Sequence, residues 1–334
     1  MRLDQVSPKS VRPRHGDVIV DRYRLGERLG EGGAGVVFGA TDEWLLRRVA
    51  IKLPTGARDA REYRGALLER EAQLAASLRS DHVVRVIDLS YLRDGTPFSV
   101  MELLDGATLG DVLDRDGLPP TDVAAQIAIE TCAALAEVHA EGIVHRDIKP
   151  DNLMLARRLD GVTTVKVIDF GSSRGAHPDA LVDDGRPVGT PGYMAPEQVL
   201  RPERCDPRTD LWGVGMVLYE MLTGVLPFEA SSVTDVFRKT VAGNAPPVTV
   251  HRPDVPIGLQ DVVMRCLAHD PDRRFEDASS LALALAPFAT YPEAAAEVRT
   301  VECSCRGRSS DDDAPSPTVL PLAEHVETRK RPAA

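Results

Sequence analysis

Two short stretches of this 334-residue chain hold side chains that could do chemistry together. The first is His145-Arg146-Asp147-Ile148-Lys149-Pro150-Asp151-Asn152, with Asp147 and Asn152 five apart, a lysine between them, and a proline that discourages helix. The second is Asp169-Phe170-Gly171. Leu153-Met154-Leu155 and Val165-Lys166-Val167-Ile168 read as short buried strands, so two strands bracket a loop and bring Asp147, Asn152 and Asp169 to one region. The plainer alternative is an Asp/Asn-rich turn that satisfies its own backbone. A third stretch, Leu29-Gly30-Glu31-Gly32-Gly33-Ala34-Gly35-Val36-Val37, has the spacing G-x-G-x-x-G-x-V. Glycines there would let backbone N–H groups approach phosphates with no Cβ in the way. Apolar residues on both sides predict a strand-turn-strand hairpin, which separates it from the dinucleotide fingerprint, where a helix follows the glycines. Val49-Ala50-Ile51-Lys52 reads as a buried strand ending in a charge.

Taken in order, these motifs resemble the protein kinases: the glycine-rich loop, V-A-I-K, H-R-D-x-K-x-x-N and D-F-G. Lys149, two residues after Asp147, resembles the serine/threonine kinases, and the style of the motifs is that of the eukaryotic-type bacterial enzymes. Gly189-Thr190-Pro191-Gly192-Tyr193-Met194-Ala195-Pro196-Glu197 ends in a match to the family's A-P-E. The resemblance runs from about Asp21 to Phe288. It implies an α+β, bilobal fold: a small antiparallel-sheet N-lobe with one main helix (21–104) and a larger, mostly helical C-lobe (105–288). Residues 1–20 read as a flexible lead-in and 289–334 as a disordered tail.

The resemblance also implies roles. ATP and Mg²⁺ are the expected cofactors, and Ser/Thr hydroxyls of proteins the acceptors. Asp147 would orient the attacking hydroxyl and Lys149 neutralise the moving phosphoryl group. Asn152 and Asp169 would ligate Mg²⁺. Lys52, held by Glu71, would grip the α- and β-phosphates. Leu29 to Gly35, Val37, Ala50 and Met154 would line the nucleotide site. Met101 would gate the pocket behind, the backbone at Glu102 and Leu104 would meet the adenine edge, and Asp105 could reach the ribose. Thr190 would lie near Asp147. Ala34 departs from the pattern, since relatives often carry a larger apolar group at the loop tip.

Certain elements must position these groups. Residues 59–79 read as an amphipathic helix with Leu67, Glu71, Leu74 and Leu78 on one stripe, so Glu71 sits in an apolar face and needs a partner. Strands are expected over Val83–Leu89 and Phe98–Leu103, turning at Asp94-Gly95. A helix capped by Thr121 or Asp122 should run to about His139, with Val123, Ile127, Leu135 and Val138 on one face. The segment from Trp212 to Leu222 is apolar nearly all round and predicts the buried core of the C-lobe. By resemblance, Glu197 would pair with Arg274, and Asp210 would tie down the catalytic loop.

Composition narrows the rest. A net charge of −11 argues against a general nucleic-acid binder. No apolar run suggests a membrane span, the longest candidate being Leu281 to Phe288, and the polar N-terminus lacks a secretory core. Five cysteines, scattered except for Cys303 and Cys305, favour a reducing cytoplasm over a disulfide scaffold. Only six of forty basic residues are lysines, so the chain prefers arginine wherever a plain positive charge suffices; Lys52 and Lys149 are therefore notable. Residues 174–189 contain no Ser, Thr or Tyr but do contain Asp183-Asp184; the resemblance implies that Arg146 meets an activation-loop phosphate, so one of these carboxylates, Asp184, is expected to pair with Arg146 in its place, the alternative being a solvated acidic loop. Homodimerisation is an open partner class. Among rival classes, an inactive scaffold would require damage at Lys52, Asp147 or Asp169, which is not seen. Small-molecule phosphotransferases generally lack the A-P-E segment, and a binding role through the tails could be an addition.

Overall fold

The structure is a computed structural model that describes residues 13–32, 35–158, 160–173, 188–291, 293–295 and 298. Its elements are β1 (Val18–Ile19), β2 (Tyr23–Glu31), β3 (Val36–Asp42), β4 (Arg47–Leu53), α1 (Arg58–Ser77), β5 (Val86–Tyr91), β6 (Pro97–Glu102), β7 (Gly106–Thr108), α2 (Leu109–Asp116), α3 (Thr121–Ala140), β8 (Leu153–Arg157), β9 (Thr163–Val167), α4 (Pro196–Leu200), α5 (Pro207–Thr223), α6 (Val233–Ala242), α7 (Ile257–Cys266) and α8 (Ala278–Leu285). β1 to β6 form one antiparallel sheet in the order β1-β2-β3-β4-β6-β5, and β7-β8-β9 form a second, smaller one.

Strand alternation sorts the large sheet into two faces, because successive side chains point oppositely and antiparallel partners share a face. Phe38, Ala40, Val49, Ile51, Leu53, Phe98 and Val100 are buried on one face as the N-lobe core. The register pairs Gly30 with Val37, Val37 with Lys52, Gly39 with Ala50, and Ala50 with Met101. Gly30, Val37, Ala50, Lys52 and Met101 therefore share the opposite face, and a Cβ built on Gly39 would meet Leu29 Cδ2 at 3.7 Å on that same side. The β2–β3 hairpin places its glycines at the end of this face. Gly35 is required for close approach: a Cβ there would lie 2.3 Å from the carbonyl oxygen of Leu53, one residue past Lys52. We expect Gly35→Ala to push the hairpin away from β4, costing about 1–3 kcal/mol of stability. Nucleotide affinity should fall with it, as read by thermal shift with and without ATP.

Several sequence expectations shift. In α1 the most buried line is Leu68, Ala72 and Ala75, not the one through Leu67, Glu71, Leu74 and Leu78. The helix packs against β5 and β6 while Leu74 and the C-cap residue Leu78 reach the C-lobe core, so it buries a broad stripe with Glu71 beside the centre. Val83 and Val84 are buried but do not belong to β5; they pair with the C-lobe strand β9. The N-cap of α3 is Pro120, without a side-chain cap. Asp122 instead accepts a hydrogen bond from Thr290 Oγ1 at 3.1 Å. Val123 is exposed, whereas Ile127, Leu135 and Val138 are buried among residues on nearly every side of the helix.

Among the described residues α3, not the run at Leu281, is the helix long and apolar enough to cross a membrane by length and composition. Here it is the core helix of the C-lobe, mostly buried against α5, α8 and β9. α5 is buried nearly throughout. The packed chain also extends past the expected edges: Ile19 of β1 is buried, and Ala295 and Val298 are each 1% exposed in the C-lobe core. Those two side chains explain why packing continues beyond Phe288.

Candidate active site

Lys52 comes from β4 and Glu71 from α1. The ammonium donates to both carboxylate oxygens, at 2.7 and 2.8 Å, and to Asp169 Oδ1 at 3.0 Å. Burial would lower the Lys52 pKa, but the two carboxylates outweigh it and raise it. Burial likewise works against ionisation of Asp169, yet Lys52 and the Gly171 amide hold it below the usual carboxylate range. Glu71 has the opposite outcome: burial pushes its carboxyl up from 4.5 to about 7, with Lys52 opposing and Asp169 adding to the rise. The folded protein thus binds the Glu71 proton more tightly than the unfolded chain, and this group's contribution to stability falls as pH rises from 4.5 to about 7. As pH rises through about 7, Glu71 ionises and the Lys52–Glu71 pair becomes charged on both sides. With the ATP that the sequence resemblance implies, kcat/KM is therefore expected to rise with pH through about 7, and a limb centred near 4.5 would contradict this.

The loop after α3 supplies the second group. Pro150–Asn152 form a 3-10 turn that leads into β8. Asp147 Oδ1 accepts from the Thr190 amide at 2.9 Å and from Thr190 Oγ1 at 2.8 Å. Lys149 Nζ donates to Thr190 Oγ1 at 2.7 Å and lies 3.4 Å from Asp147 Oδ2. Asn152 Nδ2 donates to Asp147 O at 2.8 Å and to Asp147 Oδ2 at 3.1 Å. The amide nitrogen of Asn152 is committed in this way, which leaves its oxygen as the atom able to ligate a cation.

Arg146 and Asp169 both adopt left-handed backbone, φ 66 and 63, which is strained for non-glycine residues. Asp210 on α5 holds the first of these. It accepts from the amides of His145 and Arg146, at 2.8 and 2.7 Å, and from His139 Nε2 at 2.8 Å. Burial opposes its charge, but His139, the nearby His145 ring and the Arg146 amide keep Asp210 below the ordinary carboxylate range. His145 in turn packs edge-on against Phe170, ring centres 4.9 Å apart, which couples the loop to Asp169-Phe170-Gly171. His139 was not foreseen; it lies on a helix read only for its apolar pattern.

The remaining residues fall around this centre. Cβ atoms built on Gly30 and Gly32 would meet nothing within 4 Å, so the hairpin backbone borders open space. Leu29 and Glu31 are exposed at its rim, while Gly33 and Ala34 lie outside the described residues. Ala50 is buried and Val37, Met101, Leu104 and Met154 are half-buried. Met154 alternates with the buried Leu153 and so faces the other side of β8. The Glu102 amide donates to Arg85 O at 3.0 Å, so Glu102 can serve an adenine edge only through its carbonyl. Asp105 is exposed just past Leu104. Arg146 Nε donates to Ser172 O at 2.8 Å; Asp183 and Asp184 lie outside the described residues. Glu197 and Arg274 are joined at 2.7 and 2.8 Å.

Comparison with known proteins agrees with this geometry. The protein kinase domain family model matches residues 23–283. The serine/threonine-protein kinase PknB of Mycobacterium leprae is 37% identical over 267 residues, covering 78% of this chain and 42% of that protein. PknB of Mycolicibacterium smegmatis is 38% identical over 281 residues, 80% of this chain and 43% of that protein. The serine/threonine-protein kinase pkn3 of Myxococcus xanthus is 34% identical over 265 residues, 78% and 48%. The chain spans less than half the length of these relatives. With β4, α1, the Asp147 loop and Asp169 all inside the matched span, the chain belongs to the protein kinase domain family.

Proposed function

We propose that this protein is a serine/threonine protein kinase that transfers the γ-phosphoryl group of ATP to Ser or Thr hydroxyls of proteins. The observation that carries the reading is the Thr190 hydroxyl, which donates to Asp147 at 2.8 Å while accepting from Lys149 at 2.7 Å. A hydroxyl thus already sits between a carboxylate that can orient it and an ammonium that can meet its phosphate. Such a transfer asks mainly for positioning and charge compensation. Asp147 orients the acceptor, Lys149 offsets charge on the transferred group, and Lys52, braced by Glu71, grips the phosphates. The hairpin backbone at Gly30 and Gly32 covers them.

The donor set suits Mg²⁺. Asn152 and Asp169 offer oxygen ligands, and among the described residues no group of three or more His, Cys, Asp or Glu is placed to hold an ion. A two-ligand site of this kind suits a hard cation that completes its shell with waters and phosphates. When bound, it would offset negative charge on the phosphates that Lys52 grips.

Finer points belong to the same proposal: autophosphorylation, with Ser and Thr of the C-terminal tail as targets; Asp184 pairing with Arg146 in place of a phosphate; a homodimer; and a cytoplasmic location. The test is label transfer from ATP with Mg²⁺ to the protein itself and to a generic basic protein, followed by phosphoamino-acid identification. Phosphoserine or phosphothreonine supports the reading. ATP binding without transfer would favour a scaffold, and phosphotyrosine alone would overturn the acceptor class.

A further inference from the structure

Residues 78–85, between α1 and β5, belong to the N-lobe by position but bond to the C-lobe. Val84 N donates to Val167 O at 3.0 Å, and Val167 N donates to His82 O at 2.8 Å. Val83 and Val167 form an isolated parallel bridge, and the Arg79 amide donates to Glu137 on α3. Two residues beyond Val167 comes Asp169. The same linker also bonds to the end of β6: Arg85 N donates to Glu102 Oε1 at 2.9 Å, and Glu102 N donates to Arg85 O at 3.0 Å. Lys166 of β9 closes the triangle. Its ammonium donates to Glu102 Oε1 at 2.8 Å and to Val83 O at 3.3 Å, with its side chain 14% exposed. It is one of only six lysines in the chain.

We propose that Lys166 is a positioning residue for phosphoryl transfer: it fixes the inter-lobe segment at Glu102, the linker behind α1, and the strand leading to Asp169 in one relation. The inference rests on the kinase reading. Lys52, Ala50 and Met101 lie on β4 and β6, which stay one sheet whatever happens to Lys166. What the ammonium ties to that sheet is β9, and with it the Asp169 carboxylate. Losing the tether should leave nucleotide affinity nearly intact and make the assembled Lys52–Glu71–Asp169 arrangement less populated. The effect then falls on kcat rather than on KM for ATP.

The experiment compares wild type, Lys166→Met, which keeps the aliphatic stem, and Lys166→Arg, which keeps a cationic donor. For Lys166→Met, kcat is expected to fall about tenfold with KM for ATP within about twofold, the scale of a small misplacement of reacting groups. Lys166→Arg should recover most of the loss. Hydrogen exchange at the Val84 and Val167 amides should be faster in Lys166→Met, a readout that needs no turnover. An unchanged kcat in Lys166→Met overturns the proposal. A raised kcat does so too, since the contact would then restrain rather than position. Equal losses in both variants, with lowered thermal midpoints, would mean packing and also overturn it. Absence of transfer in every protein, wild type included, counts against the kinase reading, whereas unchanged exchange counts against the tether.

Discussion

Asp147→Asn is expected to lower phosphate transfer by about a thousandfold, within the range seen when a positioned acid–base group is removed. The substitution keeps size and shape, so the loop should hold its form. Asparagine can still accept from the Thr190 amide and hydroxyl, now made at 2.9 and 2.8 Å. What it loses is the acceptor oxygen that Asn152 Nδ2 meets at 3.1 Å, negative charge beside Lys149, 3.4 Å away, and the ability to draw a proton-bearing hydroxyl into line. Lys52, Glu71 and the glycine hairpin are untouched, so KM for ATP should stay within about threefold, the pattern of an interaction realised in the transition state. Steady-state transfer with varied ATP checks both halves. Activity within about tenfold of wild type would move the essential carboxylate elsewhere.

The second large effect is structural. Arg274→Met is expected to destabilise the fold by about 3–5 kcal/mol, the cost of leaving one partner of a buried ion pair unmatched. The Arg274 side chain is 0% exposed and Glu197 is 11% exposed. The guanidinium meets Glu197 through two nitrogens, at 2.7 and 2.8 Å, and also donates to Ala268 O at 2.9 Å and Arg208 O at 3.0 Å while stacking over Trp212. Removing it leaves the Glu197 carboxylate with the Thr209 hydroxyl at 2.9 Å but no cation, and takes a donor from two carbonyls in the C-lobe core. Arg274→Lys should not rescue, because an ammonium cannot form the two-pronged contact and reach the carbonyls as well. The double variant Arg274→Met with Glu197→Gln should cost less than the sum of the single ones, since each change removes the other's stranded charge. Urea unfolding measures all of these; a loss under about 1 kcal/mol for Arg274→Met would show the pair to be dispensable.

Asp147 was announced by residue types and spacing, and the Glu197–Arg274 pair by resemblance to the kinases. Asp147, Asn152 and Asp169 stand out because short-range pattern determines the strands around them, and Lys52 because a charge ends an apolar run. Glu71 was found by a stripe that proved slightly displaced, yet a carboxylate in an apolar face needs a cation wherever the centre of the stripe lies. Local pattern was less able to assign a buried residue to its partner. Val83 and Val84 look like the start of an N-lobe strand, and alternation alone cannot tell which sheet a valine joins. The structure gives them to β9.

By itself, then, the sequence determined the glycine hairpin, the strand that ends in Lys52, α1, α3 and α5, because these depend on neighbours a few residues apart, and resemblance to the kinases supplied the candidate phosphate- and metal-binding groups. Tertiary structure alone decided how far packing runs past Phe288, that Asp122 bonds Thr290 instead of capping α3, and that Lys166 meets both Glu102 and Val83. Those outcomes depend on residues 64 to 168 positions apart, and nothing in the local chain records that separation until the chain is folded.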